Sequence, residues 1–275
     1  MTTFTERLLQ VQQNQRSLLC IGLDTDPLLL PPHLASSQNA VFEFNRAIIE
    51  ATHDLVCCYK INLAFYEALE DGGWNVLQKT LEYIPKDVLT IGDGKRGDIG
   101  NTSARYADAL FNQFGFDAAT VNPYMGFDSV EPFLSNPERG VFILALTSNS
   151  GSKDFQHLKI GKRPLYERVV SAAKKWNTNN NIGLVVGATQ PKQMKRIRAI
   201  VPRMPLLIPG IGAQGGDLPS AVQYGCTKEG HGAVINVSRS VIYASRSSDY
   251  ASAARQEALR LRDKIRTIQE EFFKV

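Results

Sequence analysis

Short runs of branched and aromatic apolar residues recur along this chain at a nearly regular interval, with amphipathic stretches between them. Eight of the runs read as strands: 18–24, 55–62, 88–95, 118–123, 140–148, 182–188, 204–210 and 232–238. Several are apolar throughout rather than alternating, as in parallel strands covered by helices on their outer face. The stretches between them carry the helical period. Val41, Phe44, Ile48, Ala51 and Leu55 form one apolar stripe. Ala104, Ala107, Leu110, Phe111 and Phe114 form another, after a cap expected at Asn101 or Thr102. Tyr166, Val169, Val170 and Ala173 follow Pro164, and a last long helix is expected over 251–272. Eight such βα units in about 250 residues predict an α/β fold, a (β/α)8 TIM barrel. It is read as a single domain over 1–275, with an N-terminal helix and a C-terminal helix. A doubly wound parallel sheet is the rival architecture.

Composition narrows the partners. The 275 residues are 43% hydrophobic and 21% charged, an ordinary globular balance. Net charge is +4, with the positive residues scattered. The one local group, Lys192, Lys195, Arg196 and Arg198, follows Pro191 at helical spacing and is expected to be a solvated helix face. No nucleic-acid partner is expected, whereas an anionic small molecule fits this charge. Cys20, Cys57 and Cys58 lie in apolar runs and Cys226 follows Gly225. Adjacent Cys57 and Cys58 are expected on opposite faces of a strand. Buried thiols in a reducing, cytoplasmic setting are the expectation. The four histidines are dispersed, so no metal site is expected. No run reaches transmembrane length, and the N-terminus lacks a signal-peptide apolar core, so no membrane partner is expected.

A barrel places its chemistry where strands end, on the carboxyl face. The polar residues of this chain collect there. The first run ends in Asp24, the second carries Lys60 and Asn62, and the third delivers Asp93 and Lys95. The fourth leads to Asn122, the fifth to Thr147-Ser148-Asn149, the seventh to Pro209-Gly210 and the eighth to Ser238-Arg239. Asp93 and Lys95, at i and i+2, leave the strand on one face. Asp98 follows past Gly97. Two acids flanking Lys95 are expected to keep it charged and fix its direction. Such a lysine holds a substrate anion or delivers a proton; a surface ion pair beside a turn is the plain alternative. Lys60 interrupts an apolar strand, where unpaired burial of an ammonium is costly. It either snorkels at the strand end or shares a pocket with Asp24 and Asp93.

Residues 210–216 spell G-x-G-x-x-G, a dinucleotide fingerprint when it follows a first strand and precedes an acid about 20 residues on. Here it follows the seventh strand, and the eighth ends in Ser238-Arg239. The phosphate site that barrels build from the loops after strands seven and eight fits better. Gly210 and its neighbours let backbone amides approach an anion, Gln214 offers an amide, and Arg239 a planar charged fork. A short helix is expected from Ser240.

These residues resemble the signature of the orotidine 5'-phosphate decarboxylase family. The resemblance rests on Asp93-x-Lys95-x-x-Asp98-Ile99-Gly100-x-Thr102, on Gly22-Leu23-Asp24, Lys60-Ile61-Asn62 and Thr147-Ser148-Asn149. Pro209-Gly210-Ile211-Gly212-Ala213-Gln214 and Asn236-Val237-Ser238-Arg239-Ser240 complete it, in order along nearly the whole chain. The chain looks most like the longer bacterial-type branch, with its loop over 26–32. The resemblance implies a cofactor-free carboxy-lyase that converts orotidine 5'-monophosphate to uridine 5'-monophosphate in pyrimidine biosynthesis. It implies that Asp93 lies against the substrate carboxylate and that Lys95 protonates pyrimidine C6. Lys60 and Asp98 then complete an alternating charge array, and Asp24 and Lys60 hold ribose hydroxyls. Asp98, Ile99 and Thr102 are implied to come from the second subunit of a homodimer. Ser148 is implied at the pyrimidine amide edge, Gln214 and Arg239 at the phosphate. Three rivals stay open: a metal-dependent sister enzyme on phosphosugars, a non-catalytic phosphate-binding barrel, and a nicotinamide enzyme. The sister enzymes hold metal with an acid near strand two, where this chain has Lys60 and Asn62.

Overall fold

All eight predicted strands form, in a computed structural model that describes residues 2–34, 37, 39–69, 72–212 and 215–274. They are β1 (Leu19–Gly22), β2 (Cys58–Asn62), β3 (Leu89–Arg96), β4 (Ala118–Val121), β5 (Gly140–Leu146), β6 (Ile182–Val186), β7 (Leu206–Pro209) and β8 (Ala233–Val237). Every pairing between them is parallel, and β1 pairs with both β2 and β8, closing the barrel. The doubly wound rival is thereby excluded. Near-continuous apolar strands bury both faces, the outer under helices and the inner in the barrel. The helices follow the predicted stripes: Ala40–Thr52, Leu165–Trp176 and Tyr250–Phe272. The helix Gly100–Asp108 starts earlier than its expected cap. Ile99 holds the cap position with no side-chain cap bond, because the chain turns at Gly100 with φ 47°.

The strand register stacks the inward side chains into layers of four from alternate strands, as barrel geometry requires. One layer holds Lys60, Thr120, Val185 and Asn236. The layer above it holds Gly22, Asp93, Leu144 and Pro209, and the layer below Cys20, Ile91, Phe142 and Leu207. The lower interior is therefore apolar. The N-terminal helix Phe4–Gln15, begun by a Thr3–Glu6 capping box, plugs its bottom. Phe4 packs edge-on to Phe142, with ring centroids 5.8 Å apart. Gln12 ties the plug to the barrel through the Ala233 carbonyl and the Gly232 amide. With the bottom plugged, the interior opens into a cavity at the carboxyl ends of the strands.

Two expectations need correction. Cys57 and Cys58 do not face opposite ways; both join the interior cluster with Sγ atoms 3.9 Å apart. Cys57 lies ahead of the regular pleat, where its thiol donates to the Leu19 carbonyl. The four thiols are nonetheless buried and unpaired. The group after Pro191 is not a uniformly solvated face. Arg198 turns inward to donate to the Val201, Met204 and Gly225 carbonyls at helix and loop ends. Arg196 pairs with buried Glu167.

Candidate active site

β1, β2 and β3 bring four charged side chains to one point. Lys60 is 4% exposed and Asp93 6%. The Lys60 amine lies 2.9 Å from Asp93 Oδ2 and 3.2 Å from Asp24 Oδ1. The Lys95 amine lies 2.8 Å from the other Asp93 oxygen. Asp93 thus bridges two ammonium groups, one sunk in the barrel and one facing the cavity. Burial alone drives the Lys60 pKa down; Asp93 and Asp24 outweigh it and hold the amine raised above the ordinary lysine range. For Asp93, burial pushes upward, but Lys60 and Lys95 hold the carboxyl well below the usual range. Snorkelling is excluded for Lys60, whose head is the buried part.

Thr120 completes this half, and sequence reading passed over it. Its Oγ1 donates to Asp93 Oδ1 at 2.8 Å and accepts the Lys95 backbone N–H at 2.9 Å. The signal for it was a lone polar residue at an inward position of an apolar strand. Lys95 itself has φ 46°, a left-handed backbone unusual outside glycine. The Thr120 bond holds that conformation and turns the amine back over Asp93.

Asp98 does not flank Lys95 as expected. The strand ends at Arg96, the chain turns at Gly97 against the Asn122 backbone, and Asp98 accepts its neighbour's N–H from Ile99. Asp98, Ile99 and Thr102 do not line the cavity of this chain, and Ile99 is 56% exposed on the rim. Asn122 also leaves the strand mouth, lining a neighbouring cleft with Tyr124.

The cavity has a volume of about 350 Å³ and is shared by Lys95 and Arg239. On its second half, Ser148 and Gly210 contribute from the loops after β5 and β7. The Ser148 hydroxyl is buried with no hydrogen-bond partner among the described residues. Gly187 makes room for it, since a Cβ there would lie 2.3 Å from Ser148 Oγ. Gly212 has φ 83°, and the loop folds back through the Gly216 amide onto the Gly210 carbonyl. Gln214 lies outside the described residues. Arg239 begins the expected short helix, here Arg239–Ile242, one turn long. Its guanidinium is exposed and makes no side-chain hydrogen bond or ion pair among the described residues. A paired, rigid charge cluster therefore faces unpaired donors across one cavity. Such an arrangement has the chemistry to bind a phosphorylated anion and to stabilise or protonate negative charge beside Lys95.

Comparison with known proteins agrees with this geometry. Residues 17–256 match the model of the orotidine 5'-phosphate decarboxylase / HUMPS family. An orotidine 5'-phosphate decarboxylase of Dehalococcoides mccartyi is 50% identical over 273 residues, covering 98% of this chain and 99% of that protein. Among solved structures, the OMP decarboxylase of Leishmania donovani superposes with a TM-score of 0.84 at 38% identity, covering 97% of this chain and 98% of that one. The UMP synthase of the same organism gives a TM-score of 0.85 at 40% identity; 97% of this chain is covered, and it spans only 57% of that one.

Proposed function

The chain belongs to the orotidine 5'-phosphate decarboxylase family, and from that membership we propose how its residues divide the work. The activity is decarboxylation of orotidine 5'-monophosphate to uridine 5'-monophosphate, a carboxy-lyase step of pyrimidine biosynthesis. The observation that carries the division of roles is Asp93 holding Lys95 at 2.8 Å over the cavity.

The bond between C6 and the carboxyl carbon breaks, its electron pair stays on C6, and CO2 leaves. That carbanion lies in an sp2 orbital with no ring acceptor for the pair. Fixed positive charge stabilises it: an ammonium about 4 Å from a unit negative charge contributes about 4 kcal/mol at an effective dielectric near 20. The Lys95 amine supplies that charge, gives its proton to C6 and regains one from solvent. Asp93, locked by Lys60 and Thr120, keeps the amine aimed and faces the substrate carboxylate. Asp24 and Lys60 hold the ribose hydroxyls, and Ser148 meets the pyrimidine amide edge. Arg239, Gln214 and the Gly210 loop grip the phosphate. Binding energy from the phosphate, remote from C6, closes the loop over the ring.

Asp98, Ile99 and Thr102 act in the site of a partner copy in a homodimer. The exposure of Ile99 and Thr102, outside the cavity of their own chain, supports this. Residues 1–275 work as one barrel domain in the cytoplasm; among the described residues no helix is long and apolar enough to cross a membrane. The test of the activity is spectrophotometric: wild-type protein with orotidine 5'-monophosphate should convert it, with and without a chelator. No turnover by folded protein would overturn the reading, and turnover abolished by chelator would favour the metal-dependent sister chemistry.

A further inference from the structure

We propose that Asn236 is a binding residue for the carboxyl group that leaves, donating a hydrogen bond to it from the floor of the cavity. The inference rests on the reading above, in which the substrate carboxylate lies against Asp93.

Three observations carry it. Asn236 lies in the layer of Lys60, Thr120 and Val185, one layer beneath Asp93. Whatever part of the substrate lies deepest therefore rests on this layer. Around Asn236 the cavity lining is apolar at Leu144, Val185 and Leu207 and charged at Lys60. Asn236 is 6% exposed, and its small exposed surface opens into the cavity. Its Oδ1 accepts the Cys20 thiol from the layer below at 3.4 Å. In this arrangement Oδ1 is the end of the amide that points down. The Nδ2 group then faces the cavity, with no hydrogen-bond partner among the described residues. Unpartnered among the described residues, this donor is free for an acceptor that enters the cavity, since the polar neighbours in its layer, Lys60 and Thr120, already bond to Asp24 and Asp93. A carboxylate oxygen is an acceptor of the right chemistry and enters from above. Ribose and phosphate are held nearer the rim, by Asp24 and Arg239.

The barrel interior beneath the site thus has a use. Cys20 is a positioning residue that orients Asn236, and Asn236 presents the donor. No bond is made or broken in this step; the carboxyl group is aimed against Asp93 before C6 and the carboxyl carbon part.

The test compares two ligands that share phosphate, ribose and ring: uridine 5'-monophosphate and its 6-carboxamide, measured by calorimetry. In Asn236→Ala the 6-carboxamide should bind about tenfold more weakly, the weight of one hydrogen bond, while uridine 5'-monophosphate keeps its affinity. Asn236→Asp keeps the acceptor for Cys20 and removes the donor, so it should lower kcat/KM for orotidine 5'-monophosphate further than Asn236→Ala. Cys20→Val should reproduce part of the selective loss, and Cys20→Ser should restore it. Equal weakening of both ligands in folded Asn236→Ala, or no weakening of the 6-carboxamide, would overturn the proposal. Failure of the wild-type protein to bind either ligand would instead overturn the reading of the site.

Discussion

The two halves of the cavity are built on opposite plans. On the β1–β4 side the charged groups of the cavity are already paired, Lys60 with Asp24 and Asp93 and Lys95 with Asp93, and Thr120 bonds to the Asp93 carboxylate and the Lys95 backbone N–H. On the β5–β8 side three groups lack partners among the described residues: the Ser148 hydroxyl, the Arg239 guanidinium and the Asn236 Nδ2 group. The difference separates chemistry from recognition. Charge that must act on a developing carbanion is held in place before substrate arrives, so no reorganisation is needed at the moment of reaction. Groups that recognise phosphate and pyrimidine are left for the ligand to satisfy, so their binding energy appears only when the correct molecule is bound.

Breaking the paired half should cost the fold as well as the activity. Asp93→Asn leaves buried Lys60 with one partner and should lower stability by about 3–5 kcal/mol, read by urea unfolding. The pH dependence gives the sign. Because the folded Asp93 carboxyl is held below its unfolded value of about 4, its contribution is complete above that pH and is lost as pH falls further. The acid limb of the wild-type stability curve should therefore flatten in Asp93→Asn; an unchanged limb would remove Asp93 from the array. Lys60, raised, contributes below about 10.5 and loses its contribution as pH rises through its folded value.

Breaking the unpaired half should spare the fold. Arg239→Ala should weaken uridine 5'-monophosphate by roughly 10- to 100-fold, with uridine almost unaffected and the unfolding curve unchanged. Equal loss for nucleotide and nucleoside would remove Arg239 from the phosphate. Mixing inactive Lys95→Ala and Asp98→Ala proteins sharpens the comparison across subunits. A shared site in a two-fold dimer regenerates about a quarter of wild-type activity at equal mixing; no recovery would place Asp98 outside the partner's site. The smallest effect is Ser148→Ala, about tenfold in affinity with stability kept, since the hydroxyl has no partner to lose among the described residues.

The barrel was legible because its strands are buried on both faces, and runs such as 140–148 and 182–188 stay apolar where a one-sided sheet would alternate. Asp93 and Lys95 were legible for the same reason, as charges at the end of such a run. Thr120 and Asn236 were not, because each reads as one polar residue inside a strand until the register places it in a layer. The left-handed Lys95 backbone and the inward turn of Arg198 follow from partners, Thr120 for the first and the Val201, Met204 and Gly225 carbonyls for the second, that the helical period does not encode. Asp98 misled because nearness in sequence to Lys95 stood in for nearness in space, and Gly97 separates the two.

The central claim is that the Lys95 amine, aimed by Asp93, both stabilises and protonates C6. The direct measurement is turnover of orotidine 5'-monophosphate by Lys95→Ala, made on protein whose unfolding curve and affinity for uridine 5'-monophosphate remain near wild type. Loss of both proton donor and fixed charge predicts a fall in kcat of at least about 10⁴-fold. A folded, nucleotide-binding Lys95→Ala protein that retains a tenth or so of wild-type turnover would contradict the account.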